Sequence, residues 1–155
     1  MILKLVFKMD EIRKPLEEVY FFWIERAIKA FRQEKNRVFT ELGVNLTSDQ
    51  WIVLKRIHES PGIHQKEIAA LTYKDPASIT RIIDLLMKHG LAERKPHKSD
   101  RRYYSMFLTE EGHELVERLL PIAVKMRRKG LEGVSEADQQ AMQRALNQIA
   151  DNFTS

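Results

Sequence analysis

The segment Asp75-Pro76-Ala77-Ser78-Ile79-Thr80-Arg81-Ile82-Ile83-Asp84-Leu85-Leu86-Met87-Lys88-His89-Gly90-Leu91, followed by Asp100-Arg101-Arg102, constrains the fold of this chain most tightly. Asp75 is a helix cap, and Pro76 stands at the first helical position, where its missing N–H costs nothing. Steps of about 100° per residue place Ile79, Ile82, Ile83 and Leu86 on one face. Ala77, Arg81, Asp84 and Lys88 fall on the other, with Ser78 and Thr80 on the flanks. The outer face is narrow, small near its start, and carries one long arginine. A helix that enters a major groove needs such a face, because bulky apolar groups would block the base edges. A helix packed at the surface of a core would show the same apolar stripe.

Charge follows the same segment. Between Pro76 and Arg102 seven cations (Arg81, Lys88, Arg94, Lys95, Lys98, Arg101, Arg102) face three acids (Asp84, Glu93, Asp100), which accounts for the entire net charge of +4. A neutral body with one basic stripe is the footprint of a phosphate-binding surface. The chain has 155 residues and no cysteine, which excludes disulfides, thiolate zinc sites and thiol switches. Met1-Ile2-Leu3-Lys4-Leu5-Val6-Phe7-Lys8 is too short for a signal peptide, and nothing approaches the roughly 18 apolar residues of a membrane span. A cytoplasmic protein with no membrane partner is expected.

Around the basic helix the punctuation is regular. Apolar residues at three- and four-residue steps predict one long helix from Asp10 to about Glu41, its stripe widened by Tyr20, Phe21, Ile24 and Phe31. So much apolar surface on one helix points to a dimer interface. After Gly43, Thr47 and Gln50 form a capping box, staple-flanked by Leu46 and Trp51. Ile63-His64-Gln65-Lys66-Glu67-Ile68 repeats that logic with a weaker cap at His64. The short helix this starts and the helix after Asp75 make a helix-turn-helix. Gly90 ends the second helix. Residues 91–95 and 103–108 read as two strands, with turn chemistry between them. Thr109 caps the next helix, whose stripe is Leu115, Leu119, Ile122 and Met126, and which Pro121 should bend. A last helix starts at Ser135 with Met142, Ala145, Leu146, Ile149 and Phe153 as its buried face. The fold class is mainly α with a small β-hairpin wing (α+β).

The ordered set Leu46-Thr47, Gln50-Trp51, Leu54, Gln65-Lys66-Glu67-Ile68-Ala69, Thr80-Arg81, Asp84-Leu85, Gly90-Leu91, Asp100-Arg101-Arg102 and Leu108-Thr109-Glu110-Glu111-Gly112 resembles the multiple-antibiotic-resistance regulator (MarR) family of winged-helix transcription factors. The resemblance runs from Glu11 to Phe153. It implies a single domain over 1–155, with a first dimerisation helix at 10–42, a winged helix-turn-helix lobe at 46–108 and C-terminal dimerisation helices at 109–155. It also implies a homodimer on pseudo-palindromic double-stranded DNA, and transcriptional repression relieved by a small ligand.

On the recognition helix the candidate DNA-contacting residues are Ala77, Ser78, Thr80, Arg81, Asp84 and Lys88. On the wing they are Arg94, Lys98, Asp100, Arg101 and Arg102. The resemblance puts Arg102 in the minor groove, where a lone arginine suits a narrow, electronegative channel, and gives Asp100 the task of holding the wing. Because the family often binds aromatic or phenolic anions, Phe22, Arg26, Trp51 and His58 form a candidate effector pocket. Ordinary core packing is the favoured reading of those four.

Other classes leave weaker traces. The five histidines lie on different elements, without a catalytic triad order, phosphate loop or metalloprotease spacing, so no enzyme is expected. No cofactor or metal is expected either. His113 and Glu117 share a helix face, which leaves a metal-responsive regulator of the same fold as an alternative. A winged helix serving only protein interaction is the other; Arg101 and Arg102 speak against it.

Overall fold

A computed structural model describes residues 13–96 and 104–154. The chain divides into two compact units, one reaching to Val116 and the other starting at Glu117.

In the first unit a 3-10 turn at Leu16–Glu18 precedes α1 (Tyr20–Glu41). The expected helix over 10–41 is therefore corrected within the described residues: Val19 is extended, at φ −96° and ψ 112°, and the α-helix starts after it. Pro15, which lacks an N–H and disfavours the helical region at Lys14, bars one continuous helix from Asp10 through this point. Then come α2 (Ser48–Glu59), β1 (Ile63–His64), α3 (Gln65–Thr72) and α4 (Pro76–Lys88). Two strands, β2 (Ala92–Pro96) and β3 (Tyr104–Leu108), lead into α5 (Glu110–Gly130), and α6 (Glu136–Thr154) closes the chain.

The helix starts are built as their sequences predict. At α2 the Gln50 N–H donates to the Thr47 hydroxyl (3.2 Å), and the Thr47 N–H to the Gln50 side-chain oxygen (2.8 Å). At α3 the His64 N–H donates to the Glu67 carboxylate at 2.9 Å. Asp75 accepts from the Ser78 N–H at 2.8 Å, and Gly90, at φ 70°, follows the end of α4. Ser135 accepts the Asp138 N–H at 3.1 Å at the start of α6.

β3 is the middle strand of an antiparallel sheet ordered β1-β3-β2, with Ala92 opposite Leu108 and Ile63 opposite Met106. The pair Ile63–His64 is a strand as well as a helix approach. Two residues are too few to show alternation, so its sequence carried no strand signal. Leu54, Ile57, Ile68, Ile79, Ile83, Leu86 and Met106 are fully buried where α2, α3, α4 and β3 meet. Burial of each such side chain is worth about 1.5–3 kcal/mol. Ile82, expected on the same face, is half-buried.

In the second unit, α6 carries no buried residue: Met142, Leu146 and Phe153 are exposed. The expected buried face of the last helix is thus corrected for the single chain. Its stripe exists, and a single chain does not cover it. On α5, Leu119 and Met126 are buried, and the helix continues through Pro121.

Candidate nucleic-acid interface

α3 and α4 are joined by Tyr73 and Lys74, and this turn is pinned from both sides. Lys74 forms an ion pair with Asp49 of α2 at 3.0 Å. Across the turn, the Gln65 amide donates to the Thr80 hydroxyl, which itself donates to the Pro76 carbonyl at 2.9 Å. Thr80 therefore braces α4 against α3, a task its position on the helix flank did not reveal. Asp75 is exposed, and the Ser78 hydroxyl with the Ser78 N–H holds its carboxyl below the usual range. The cap stays charged, which suits the positive end of a helix dipole.

Beyond the cap, α4 turns Ala77, Arg81, Asp84 and Lys88 outward, while Ser78 is half-buried. Arg94 of β2 donates to Asp84 at 3.1 Å, and its guanidinium lies 5.6 Å from the Tyr104 ring centroid. This contact ties the wing strand to the recognition helix, so both side chains are occupied in positioning. Lys95 pairs with Glu93 at 2.6 Å. Among the described residues Arg81 and Lys88 have no ion-pair partner, and they carry the charge of the stripe outward. Lys98, Asp100, Arg101 and Arg102 lie outside the described residues.

The four candidate pocket residues pack on three different rings. Arg26 lies over Trp23, 5.2 Å from its ring centroid, and Phe22 meets the same Trp23 edge-on at 5.5 Å. Trp51 is buried edge-on against Phe39 at 6.2 Å. His58 packs on His113, with ring centroids 5.7 Å apart. A cavity of about 440 Å³ opens elsewhere, along Arg32, Asn36, Phe39 and Thr40 of α1 and residues 44–49, and includes none of the four. No pattern of residues announces this cavity, because its walls come from a helix end and an irregular loop. Among the described residues no group of three or more His, Asp or Glu side chains could hold a metal ion, and no helix is long and apolar enough to cross a membrane.

Residues 46–104, which include the helix-turn-helix and most of the hairpin, match the MarR family. The HTH-type transcriptional regulator YhbI of Bacillus subtilis is 32% identical over 114 residues, which cover 66% of this chain and 74% of that relative. The chain belongs to the MarR family. This MarR regulator is also 26% identical over 144 residues to the transcriptional repressor IacR of Pseudomonas putida, across 93% of this chain and 84% of the relative. Among solved structures, CouR from Rhodococcus jostii RHA1 bound to p-coumaroyl-CoA superimposes with a TM-score of 0.78. Its identity is 26%, covering 88% of this chain and 95% of that one. The MarR regulator described here is accordingly a DNA-binding transcriptional regulator of winged-helix fold, not an enzyme.

Proposed function

We propose that the chain acts as a homodimer that represses transcription from a pseudo-palindromic operator and is released by a small aromatic or phenolic ligand. The observation that carries this reading is the state of α4: Thr80 and Asp84 are used internally, and Arg81 and Lys88 stand exposed and unpaired among the described residues. In that reading Arg81 meets a base edge and Lys88 a phosphate. Arg102 enters the flanking minor groove while Asp100 steadies its hairpin. Repression is supported by the relative IacR, and the binding of a phenolic ligand by CouR with its bound p-coumaroyl-CoA. The cavity beside Arg32 and Phe39 is the better seat for such a ligand than the four residues singled out from sequence. Its volume is in the range of small-molecule sites, and it offers a cation and an aromatic face.

Binding of wild type, Arg81→Ala and Lys88→Ala to a preferred duplex and a random duplex tests the assignment. Arg81→Ala should cost about 1–3 kcal/mol on the preferred site and relax preference at one position of each half-site. Lys88→Ala should weaken both duplexes alike. Equal losses on the two duplexes for Arg81→Ala would remove its reading role. In the same assay, added phenolic acids should dissociate the wild-type complex.

A further inference from the structure

Tyr73 is alone among the described non-glycine residues in having a positive φ, with φ 54° and ψ 37°. It ends α3: the Lys74 N–H donates to the Ala69 carbonyl at 3.1 Å and the Tyr73 N–H to the Ala70 carbonyl at 3.3 Å. Paired bonds of this kind close a helix at a position that favours glycine, because a Cβ there crowds the following carbonyl. A tyrosine could offset that backbone cost by packing its ring. Tyr73 is 97% exposed, so the ring recovers nothing within the chain. A side chain kept in an unfavourable backbone state without a folded-state contact is the pattern of a group held ready for a partner.

Position names the partner. Tyr73 stands two residues ahead of Asp75, the cap of α4. When a helix-turn-helix docks, the start of its second helix enters the major groove, and the turn before it comes beside a sugar–phosphate strand. The neighbouring cation, Lys74, is already paired with Asp49 at 3.0 Å, which leaves the phenol as the uncommitted donor of this turn. We propose that the Tyr73 hydroxyl donates a hydrogen bond to a DNA phosphate oxygen, setting the register of α4 in the groove. The contact rests on the proposed function and adds to it a neutral positioning residue that reads no base.

The test uses the full chain, a preferred and a random duplex, a series of salt concentrations, and thermal melts at equal protein concentration. Tyr73→Phe should bind both duplexes roughly tenfold more weakly, as expected for one hydrogen bond to a charged group. Its salt dependence should match wild type, because a neutral donor releases no counterion. Tyr73→Gly should lose at least as much affinity and yet melt higher, by about 2–4 °C, since the backbone cost is gone. Opposite signs for binding and stability are what a merely structural tyrosine would not produce. Tyr73→Phe binding like wild type, a loss confined to the preferred duplex, or a Tyr73→Gly that melts lower would each overturn the contact. A wild type that binds no duplex would instead contradict the proposed function itself.

Discussion

Lys35 faces inward from α1 with 6% of its surface exposed, its ammonium 5.8 Å from the Phe31 ring centroid. Among the described residues it has no hydrogen bond or ion pair. Burial pushes its pKa below the ordinary lysine value of 10.5, the Asp49 carboxylate offsets part of that, and Arg32 adds to the lowering. The folded state therefore holds this proton less firmly than the unfolded chain does. The resulting penalty is full below the lowered pKa and disappears as pH rises through it toward 10.5. Lys35→Met keeps the length of the side chain without the charge. Melts should place it above wild type at pH 7, with the gap closing in alkaline buffer. A lower melting point at pH 7 would mean that the ammonium has a partner in the assembled protein. The same scale separates the interface residues. Arg81 is exposed and has no ion-pair partner among the described residues, whereas Arg94 is committed to Asp84 at 3.1 Å. Under the proposed function, loss of either should weaken DNA binding, the first through a base and the second through the seating of the wing strand.

The elements are held together at points where backbone approaches backbone. At the start of α5 the Thr109 hydroxyl donates to the Gly90 carbonyl and accepts the Gly112 N–H at 3.1 Å. This draws the connection between α4 and β2 onto the first turn of α5. A Cβ on Gly112 would lie 2.0 Å from the Leu91 carbonyl oxygen, and backbone on both sides leaves no flexible group to yield. Gly112→Ala should cost about 1–3 kcal/mol or more in urea unfolding, since overpacking forces the backbone to shift. An unchanged midpoint would show that the two segments separate freely.

Sequence logic was sufficient where an element declares itself locally. Thr47 with Gln50, Asp75 with Pro76, and Gly90 mark helix ends through short-range hydrogen bonds, and each stands where its chemistry required. It failed where the cause is distant. Ile63–His64 becomes a strand only because Met106 and Ser105 lie opposite. The flank position of Thr80 does not reveal that its hydroxyl is engaged by Gln65, fifteen positions away. The first α-helix begins at Tyr20, later than its apolar pattern, because the backbone is extended at Val19, which a stripe of side chains does not report. The cavity along α1 was illegible for a related reason: it uses loop residues without any periodic signature, while Phe22, Arg26, Trp51 and His58 each pack on an aromatic or imidazole ring outside that set.

On the scale of the whole molecule, two observations ask for a partner. α1 exposes Tyr20, Ile28 and Phe31, with Tyr20 at 83%, and α6 exposes Met142 and Leu146. Apolar surface on that scale marks an association site, and a second copy of the chain would double the interface that α4 offers to DNA. Two recognition helices related by a twofold axis require two half-sites, spaced by a helical turn or a multiple of it. Symmetry in the DNA is therefore the most direct reading of symmetry in the protein. Selection of bound sequences from random duplex DNA, with the mass of the complex measured on the enriched duplex, tests this directly. The account predicts an inverted repeat occupied by two chains. No enrichment, or an unpaired half-site occupied by one chain, would contradict it.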